Sequence, residues 1–428
     1  MPEALSGWRA AWASYREPAV AAMLFLGFAA GLPFLLVFST LSAWLAQLEV
    51  SKATIGLFAW VGLTYSIKVF WAPVIDRLPL PLLGRLGRRR SWMLLAQLGI
   101  IAGLLGISST DPSTQLQALA LWALLVAFSS ATQDISIDAW RIEAGPPEQQ
   151  GALAAAYQLG YRIALIVAGA GALLVASRAG WPAAYQAMAA CAGVGVLTTL
   201  LIRDNAGPLQ ARGPSVWQWL QQAVIGPFQD FFARNGLATG ALILAFVGCF
   251  RLTDITMGVM ANPFYLDIGY SLDQIAFVAK GFGVLMTIAG AMLGGVLVAR
   301  WGSPRTLIVG GLLVIGTNLC FAGLALWGRP DLLGLVVVIS ADNLASGLAG
   351  TAFIAYLSGL TSVAYTATQY ALFSSLFTLP GKLLAGGSGW MVDSLGYVGF
   401  FLYTSALGLP ALLMLIYLLR RVQARPSA

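Results

Sequence analysis

Residues 130–141 read Ser130-Ala131-Thr132-Gln133-Asp134-Ile135-Ser136-Ile137-Asp138-Ala139-Trp140-Arg141 and end an apolar stretch that begins near residue 115. The stretch 115–140 is long enough for a transmembrane helix, which needs about 20 mainly apolar residues. Asp134, Asp138 and Arg141 have i, i+4, i+7 spacing, so a helix places them in one stripe on one face. A charge at the bilayer centre costs roughly 2.5–3.5 kcal/mol. The stripe is therefore predicted to face other helices or a water-filled cavity inside a membrane protein.

The composition of the whole chain agrees with that interpretation. Hydrophobic residues make up 59% of the 428 residues, charged residues make up 10%, and the mean hydropathy is +0.80. A soluble domain carries about 25% charged residues. One soluble core cannot hide this much apolar surface, so lipid is the expected surrounding of the chain.

Twelve apolar stretches are long enough to span a bilayer, and they predict an all-α polytopic membrane protein. The predicted spans are 19–47, 53–75, 91–110, 115–140, 150–176, 183–202, 238–265, 273–299, 305–326, 332–360, 367–390 and 397–419. The longest polar interruption separates two sets of six, and similar features recur in order about 220 residues apart, as in a parallel repeat. The predicted division is an N-terminal six-helix bundle at 1–202, a cytoplasmic linker at 203–237 and a C-terminal six-helix bundle at 238–428.

Basic residues predict the orientation. Of the 24 Lys and Arg residues, sixteen fall in segments that are cytoplasmic if both termini are inside, and only Lys52, Arg178 and Arg329 fall outside. Lys and Arg concentrate on the cytoplasmic side of membrane proteins. This distribution predicts cytoplasmic termini and explains the net charge of +7 without a nucleic-acid partner.

Nine charged residues fall inside the predicted spans beyond their first residues, and spans 3, 6, 9 and 12 carry none of them. The nine are Lys68, Asp134, Asp138, Arg162, Arg251, Asp254, Lys280, Asp342 and Lys382. This pattern resembles the major facilitator superfamily, in which every third helix is peripheral and the others surround a central cavity. The resemblance implies the major facilitator fold.

The fourth and fifth spans carry the candidate residues of the first half. Asp134 lies one turn deeper than Asp138 and Arg141, so we interpret Asp134 as a proton or substrate group and the other two as an ion pair at the cytoplasmic mouth. Tyr157 and Tyr161 form one strip of the fifth span, next to Arg162 on a second strip. Aromatic rings beside a bidentate donor suit an oxygen-rich solute, although such rings also simply pack.

The seventh span places Arg251 and Asp254 three residues apart, so they can pair within the helix. Lys280 enters the eighth span at a level where it could compete with Arg251, which makes the pair either switchable or static. Gly258 and Pro263 mark where the seventh helix could bend. Three further polar residues, Asp342, Asn343 and Lys382, are predicted to complete the cavity wall.

The absence of histidine from the sequence excludes several kinds of chemistry. Ser-His-Asp and Cys-His catalysis, histidine acid–base chemistry and imidazole metal sites all need this residue. Cys191, Cys249 and Cys320 lie in apolar stretches without CxxC spacing, so we expect packing roles, no metal and no cofactor. The sequence has no nucleophile motif, which argues against an enzyme, and no soluble sensing domain, which argues against a receptor. Carboxylates must carry any protons that drive transport.

Several motifs carry a closer family resemblance. The loop Trp71-Ala72-Pro73-Val74-Ile75-Asp76-Arg77, followed by Gly84-Arg85 and Arg88-Arg89-Arg90, resembles the signature of major facilitator transporters, with Ala72 in place of the usual glycine. Three further stretches look like the AmpG muropeptide permeases: Gln133-Asp134 through Asp138-Ala139-Trp140, Leu159-Gly160-Tyr161-Arg162, and Ala367-Thr368-Gln369-Tyr370-Ala371-Leu372.

The AmpG resemblance implies proton-driven import of anhydromuropeptides across the bacterial inner membrane by a monomer. These solutes are built on N-acetylglucosamine linked to anhydro-N-acetylmuramic acid. A related transporter for a coenzyme A thioester, a drug or a simple sugar is the alternative. The candidate proton-coupling residues are Asp134, Asp138, Asp254 and Asp342. The candidate substrate-binding residues are Gln133, Tyr157, Tyr161, Arg162, Lys280, Asn343, Gln369 and Lys382. The candidate gating residues are Asp76, Arg77, Arg88 and Arg141.

Overall fold

A computed structural model of the chain describes residues 13–50, 58–81, 83–205, 224–385 and 387–423. Every regular element in these ranges is a helix. Ten of the described helices are long and apolar enough to cross a membrane. They are α1 Pro18–Leu45, α3 Arg88–Ser108, α4 Leu116–Glu143, α5 Pro147–Ala179, α6 Trp181–Leu201, α7 Leu237–Ile268, α8 Phe277–Trp301, α9 Ser303–Trp327, α10 Leu332–Leu360 and α12 Ser388–Arg421.

Two further segments complete a set consistent with the twelve predicted spans. The segment α2 is a run of short helical turns that begins with Ala59–Gly62 and ends with Ala72–Arg77, and α11 is the helix Thr366–Ala385. In α12 the backbone breaks at Gly396, where φ is 66°. The helix Gly226–Asn235, called the linker helix below, precedes α7. Residues 206–223 of the predicted linker lie outside the described ranges.

Helix α7 is interrupted at Arg251, a position that the sequence does not mark. It breaks at Arg251, which separates Leu237–Phe250 from Leu252–Ile268, and the second part continues through Pro263. Asp254 lies in the first turn after the break. A carboxylate in the first turn of a helix interacts favourably with the free backbone N–H groups there. The break therefore coincides with the charged pair rather than with Gly258 or Pro263.

Each half of the bundle has its own hydrophobic cores. One cluster includes Leu32, Leu104 and Val126 of the N-terminal half, and another is centred on Phe246 and Phe373 of the C-terminal half. A smaller cluster joins the halves, and its buried members are Ala72, Ile75, Ile135, Ala139, Ala367 and Ala371. This contact involves α2 and α4 on one side and α11 on the other. The exact boundaries at 202 and 238 stay a prediction.

The two ends of the bundle differ in charge. We call the basic end the one at which α2, α4, α6 and α8 finish, close to Arg77, Arg141, Arg203 and Arg300. The opposite end carries the short connection between α3 and α4, which contains Asp111. Short connections such as these make consecutive helices antiparallel neighbours.

Glycines allow two helix pairs to approach closely. A Cβ atom at Gly160 of α5 would overlap the carbonyl oxygen of Leu24 in α1. Likewise, a Cβ atom at Gly290 of α8 would overlap the carbonyl oxygen of Leu344 in α10. Small residues that let backbones touch are a principal source of helix packing in membranes, where lipid removes the hydrophobic drive.

We predict that Gly160→Ala lowers the thermal unfolding temperature of the purified protein, because the added methyl forces α1 and α5 apart. Overpacking of this kind costs roughly 1–3 kcal/mol. Gly193→Ala in α6 is the matched control, since nothing lies within 4 Å of its Cβ position. Equal unfolding temperatures for the two variants would refute tight α1–α5 packing at this point.

Candidate functional site

The candidate site begins with the charged stripe of α4. Asp138 Oδ1 lies 3.3 Å from Arg141 Nη2, which is the ion pair that the sequence spacing suggests. Asp138 Oδ2 also lies 4.0 Å from Lys68 Nζ of α2. The carboxylate therefore joins α2 to α4 and is shared by two cations.

Asp134 lies one turn further from the basic end and has fewer protein partners than Asp138. Its Oδ1 atom is buried and has no hydrogen-bond partner among the described residues. Lys68 and Tyr161 lie within electrostatic range of its carboxyl group. A buried carboxyl oxygen without a partner is costly, so this group has a reason to bind a proton, water or solute.

Helix α5 places two tyrosines within electrostatic range of Asp134 and Arg162 within range of Arg251. The ring centroids of Tyr157 and Tyr161 are 6.1 Å apart. Arg162 is partly buried, and its guanidinium makes no hydrogen bond or ion pair to any described residue. Five N–H donors are thus free for an anionic or oxygen-rich solute.

Helices of both halves meet beside this face of α5. Gln158 Nε2 donates to Thr351 Oγ1 of α10 at 2.5 Å. The Cβ position of Gly350 lies 3.2 Å from Arg251 Nη1 and 3.3 Å from Gln158 Oε1. The guanidinium of α7 and the amide of α5 therefore line the same space. Neither Gln158 nor Thr351 was among the candidate substrate-binding residues.

The remaining acids of the C-terminal half bond mainly within that half. Arg251 Nε lies 3.3 Å from Asp254 Oδ2. Asp342 Oδ1 accepts from Thr317 Oγ1 of α9 at 3.1 Å, and Asn343 Oδ1 accepts from Thr287 Oγ1 of α8 at 2.8 Å. Asp342 is thus directed toward a helix predicted to be peripheral. Asp342 and Asn343 were predicted to line the cavity wall. In the structure both accept hydrogen bonds that join α10 to α9 and to α8.

Lys382 and Lys280 are the two lysines predicted to bind the solute. Lys382 Nζ of α11 donates to Ser66 Oγ of α2 at 2.9 Å, so it bridges the two halves. Lys280 belongs to a π-helical turn at Ala276–Phe282, but its side chain lies outside the described part of the structure.

Two predicted substrate amides are already occupied by protein groups. Gln133 is 1% exposed, and its Nε2 donates to the carbonyl of Ala29 in α1 at 2.9 Å. Gln369 is equally buried and lies near the basic end, at the start of α11. Its side chain bonds Pro227, Asp230, Arg234 and Ser362. Gln369 is therefore committed to the linker helix and to the start of α11, whereas the Gln133 Oε1 atom is buried without a hydrogen-bond partner among the described residues.

The basic end is closed by a carboxylate at a helix N-terminus. Asp76 accepts from the backbone N–H of Ala367 at 3.1 Å, from that of Thr368 at 2.6 Å and from the Thr368 hydroxyl at 2.7 Å. Arg89 Nη2 lies 2.9 Å from Asp76 and 2.7 Å from Glu143. We call this arrangement the Asp76 latch. The positive end of the α11 dipole favours the carboxylate.

Gating residues predicted from the sequence surround the latch. Arg141 Nη1 donates to Ser358 Oγ of α10 at 2.6 Å, and its guanidinium lies 4.9 Å from the ring centre of Tyr370. Arg77 lies over the ring of Tyr365 at 5.3 Å. All these partners belong to the other half of the bundle, so the basic end is closed in this conformation.

The arginine that holds Asp76 differs from the one chosen by sequence. Arg88 begins α3 and its Nε atom has no hydrogen-bond partner among the described residues, whereas Arg89 is fully buried between two carboxylates. Three consecutive arginines give no local signal that separates them. Only the packing of α3 against α2 and α4 shows which guanidinium turns inward.

Comparison with known proteins agrees with the helical architecture. A family model described as Major Facilitator Superfamily matches residues 23–385. The chain belongs to the major facilitator superfamily. Membership confirms the predicted fold class and makes the chain a multi-pass membrane transporter.

Superfamily relatives resemble the chain along most of its length. A protein of Rickettsia felis named "Putative transporter AmpG 4" is 35% identical over 402 residues, which cover 93% of this chain and 95% of the relative. The "Anhydromuropeptide permease" of Escherichia coli (strain K12) is 34% identical over 406 residues, covering 94% and 80%. These relatives confirm the AmpG resemblance, and their names as transporter and permease point away from an enzyme.

Solved superfamily structures share the fold. The transporter FucP in the outward conformation aligns with a TM-score of 0.67 at 13% identity, covering 95% of this chain and 99% of FucP. The proton:xylose symporter XylE aligns with a TM-score of 0.63 at 11% identity, covering 93% and 94%. At these identities the similarity concerns the fold alone.

We predict that Asp76→Asn opens the basic end, because a neutral amide accepts more weakly from two backbone N–H groups and leaves Arg89 with one carboxylate. Charged hydrogen bonds contribute about 1.5–3 kcal/mol each, so the open population should rise on the order of tenfold or more. Spin labels at Arg85→Cys and Arg305→Cys, both exposed at the basic end, report the separation of the halves in a background without native cysteines.

The control for this measurement is Asp111→Asn, which changes a carboxylate at the opposite end. Its label distances should match those of the parent protein. Unchanged distances in Asp76→Asn would show that other contacts alone close the basic end.

Proposed function

We propose that this transporter is a proton-coupled symporter that imports anhydromuropeptides by alternating access. The proposal rests on the unpaired guanidinium of Arg162 beside Tyr157 and Tyr161, in a chain whose relatives include a named anhydromuropeptide permease. The orientation with the basic end in the cytoplasm follows from the excess of Lys and Arg there.

The chemistry of the solute matches the face of α5. A muropeptide offers hydroxyls and acetamides on its sugars and carboxylates on its lactyl-peptide part. Tyrosine rings stack against sugar faces, and a guanidinium binds a carboxylate through two parallel hydrogen bonds. In this proposal Tyr157 and Tyr161 contact the sugars, and Arg162 binds a carboxylate.

Closure around the solute involves the second half of the bundle. Lys382 comes from α11 and already reaches α2, and Arg251 lies near Gln158 of α5. These two cations can approach the same solute when the halves move. Release to the cytoplasm requires that the Asp76 latch and the bond between Arg141 and Ser358 break together.

Coupling to protons is assigned to Asp134. It has a buried oxygen without a hydrogen bond and lies on the same stripe as Asp138, which two cations already hold. Because the chain has no histidine, a carboxyl group is the side chain best suited to bind and release the proton. Protonation of Asp134 would alter the charge beside the solute and Lys68.

We predict that Arg162→Ala weakens uptake of labelled anhydromuropeptide in cells that lack their own permease. Loss of a bidentate charged contact of about 1.5–3 kcal/mol corresponds to roughly 10-fold to 150-fold weaker binding. Arg162→Lys should recover only part, because an ammonium lacks the planar fork. Arg178→Ala, on the exposed end of the same helix, is the control. Well-folded Arg162→Ala protein that binds the solute like the parent in calorimetry would rule out this contact.

We predict that Asp134→Asn abolishes accumulation of the solute against a gradient, while equilibrating exchange across the membrane persists. The amide keeps the size of the side chain and removes its ability to carry a proton. Asp393→Asn, at an exposed position, should accumulate normally. Accumulation by Asp134→Asn that still responds to an imposed pH step would assign coupling to another residue.

A further inference from the structure

A small cavity lies inside the C-terminal half, between α7, α9, α10 and α12. Its volume is about 10 Å³. The lining that matters here consists of Phe250, Thr253, Asp254, Gly311, Gly408 and Leu412. A space of about 10–15 Å³ is the minimum that holds one water molecule. The cavity therefore has room for a single water and for nothing larger.

One wall of this cavity carries a polar group without a partner. Thr253 is 1% exposed, and its Oγ1 atom makes no hydrogen bond to any described residue. The hydroxyl points toward α12, where a Cβ atom at Gly408 would lie 3.2 Å from it. Burying a hydroxyl without a hydrogen bond costs free energy, which a water molecule in the cavity would remove.

The same cavity is bounded by a carboxyl group. Asp254 follows Thr253 in the chain and lines the space, while its Oδ2 atom lies 3.3 Å from Arg251 Nε. A buried water needs two to four polar partners. Thr253 and Asp254 are the lining residues with polar side-chain atoms that could meet that requirement, whereas the others named above are apolar or glycine.

We propose that this cavity is a binding site for one water molecule, which hydrogen-bonds Thr253 and Asp254. The water gives Asp254 a partner inside the C-terminal bundle in addition to Arg251. An ionised Asp254 accepts from both the water and Arg251, and a protonated Asp254 donates to the water and releases Arg251 toward α5. This exchange of partners would extend the proposed proton coupling to the C-terminal half. The water site itself does not depend on the proposed function, but its part in proton coupling does.

Charged residues on the helices around Asp254 belong to α7, α8, α10 and α11, and those within electrostatic range of it are Arg251 and Asp342. Arg251 belongs to α7, and Asp342 of α10 lies within electrostatic range of Asp254. Lys382 of α11 is hydrogen-bonded to Ser66, and Lys280 belongs to α8 with its side chain outside the described residues. The cavity residues contributed by α9 and α12 are all uncharged. The water site is therefore the neutral part of the surroundings of Asp254.

The site can be tested on the full chain in lipid nanodiscs without any solute. A pulse of X-rays in oxygen-18 water converts bound waters to hydroxyl radicals, and mass spectrometry detects label on adjacent side chains. We expect label on Phe250, which lines the cavity, and little on Phe246 of the same helix, which is fully buried. Thr253→Val should reduce the label on Phe250 on the order of tenfold, the factor for loss of one buried hydrogen bond.

Two matched pairs of variants distinguish loss of the bound water from a general effect of the substitution on folding. Thr256 is one turn along α7, is equally buried and also has an unpartnered hydroxyl, but it does not line the cavity. Thr256→Val should therefore keep the label on Phe250. Gly311→Ala fills the cavity without a clash, because its Cβ would lie 3.7 Å from Leu412 and Phe250.

Gly311→Ala should remove the label, and Gly316→Ala on the same helix should keep it, since nothing lies within 4 Å of that Cβ position. Absence of label on Phe250 in the parent protein would overturn the proposal, and so would equal label in Gly311→Ala and Gly316→Ala. Failure of muropeptide uptake by the parent protein would instead contradict the proposed function and leave the labelling result intact.

Discussion

An ionised side chain that faces hydrocarbon costs roughly 2.5–3.5 kcal/mol at the bilayer centre, and nine ionisable side chains lie in the interior of the predicted spans. Among the side chains that the structure describes, several have partners on the same helix or on a neighbouring one. Lys68 and Arg141 share Asp138, Arg251 pairs with Asp254, and Lys382 reaches Ser66. Where two helices share a charged pair, the pair also fixes their relative position. Because charges in the membrane need partners, they form contacts that also fix how the helices pack.

The same requirement explains how the two halves meet. The Asp76 carboxylate is buried, so it needs donors from every side, and it obtains them from Arg89 and from the first turn of α11. These donors belong to different halves. Removing the charge at this one position weakens a contact inside the N-terminal half and a contact between halves together. Movement of α11 therefore has a direct electrostatic cost, which is what an alternating-access mechanism requires of its closed end.

The acids of the two halves have different surroundings. In the N-terminal half Asp134 keeps an oxygen without a hydrogen bond and lies within electrostatic range of Tyr157 and Tyr161. In the C-terminal half Asp254 and Asp342 are held by groups of their own half, and the small cavity beside Thr253 lies deeper in that bundle.

The sequence by itself determined the membrane class, the approximate spans and the pairing of Asp138 with Arg141, because hydropathy and helical spacing are local properties. The motif that contains Asp76 was also visible. Only the tertiary structure decided that Arg89 rather than Arg88 holds Asp76, that Gln133 and Gln369 bond protein groups, and that α7 breaks at Arg251. Such choices depend on partners far away in the chain, as with Asp76 and Thr368, which are 292 residues apart. Local periodicity says which face of a helix is polar, but the neighbour that the face meets is set by how all the helices pack.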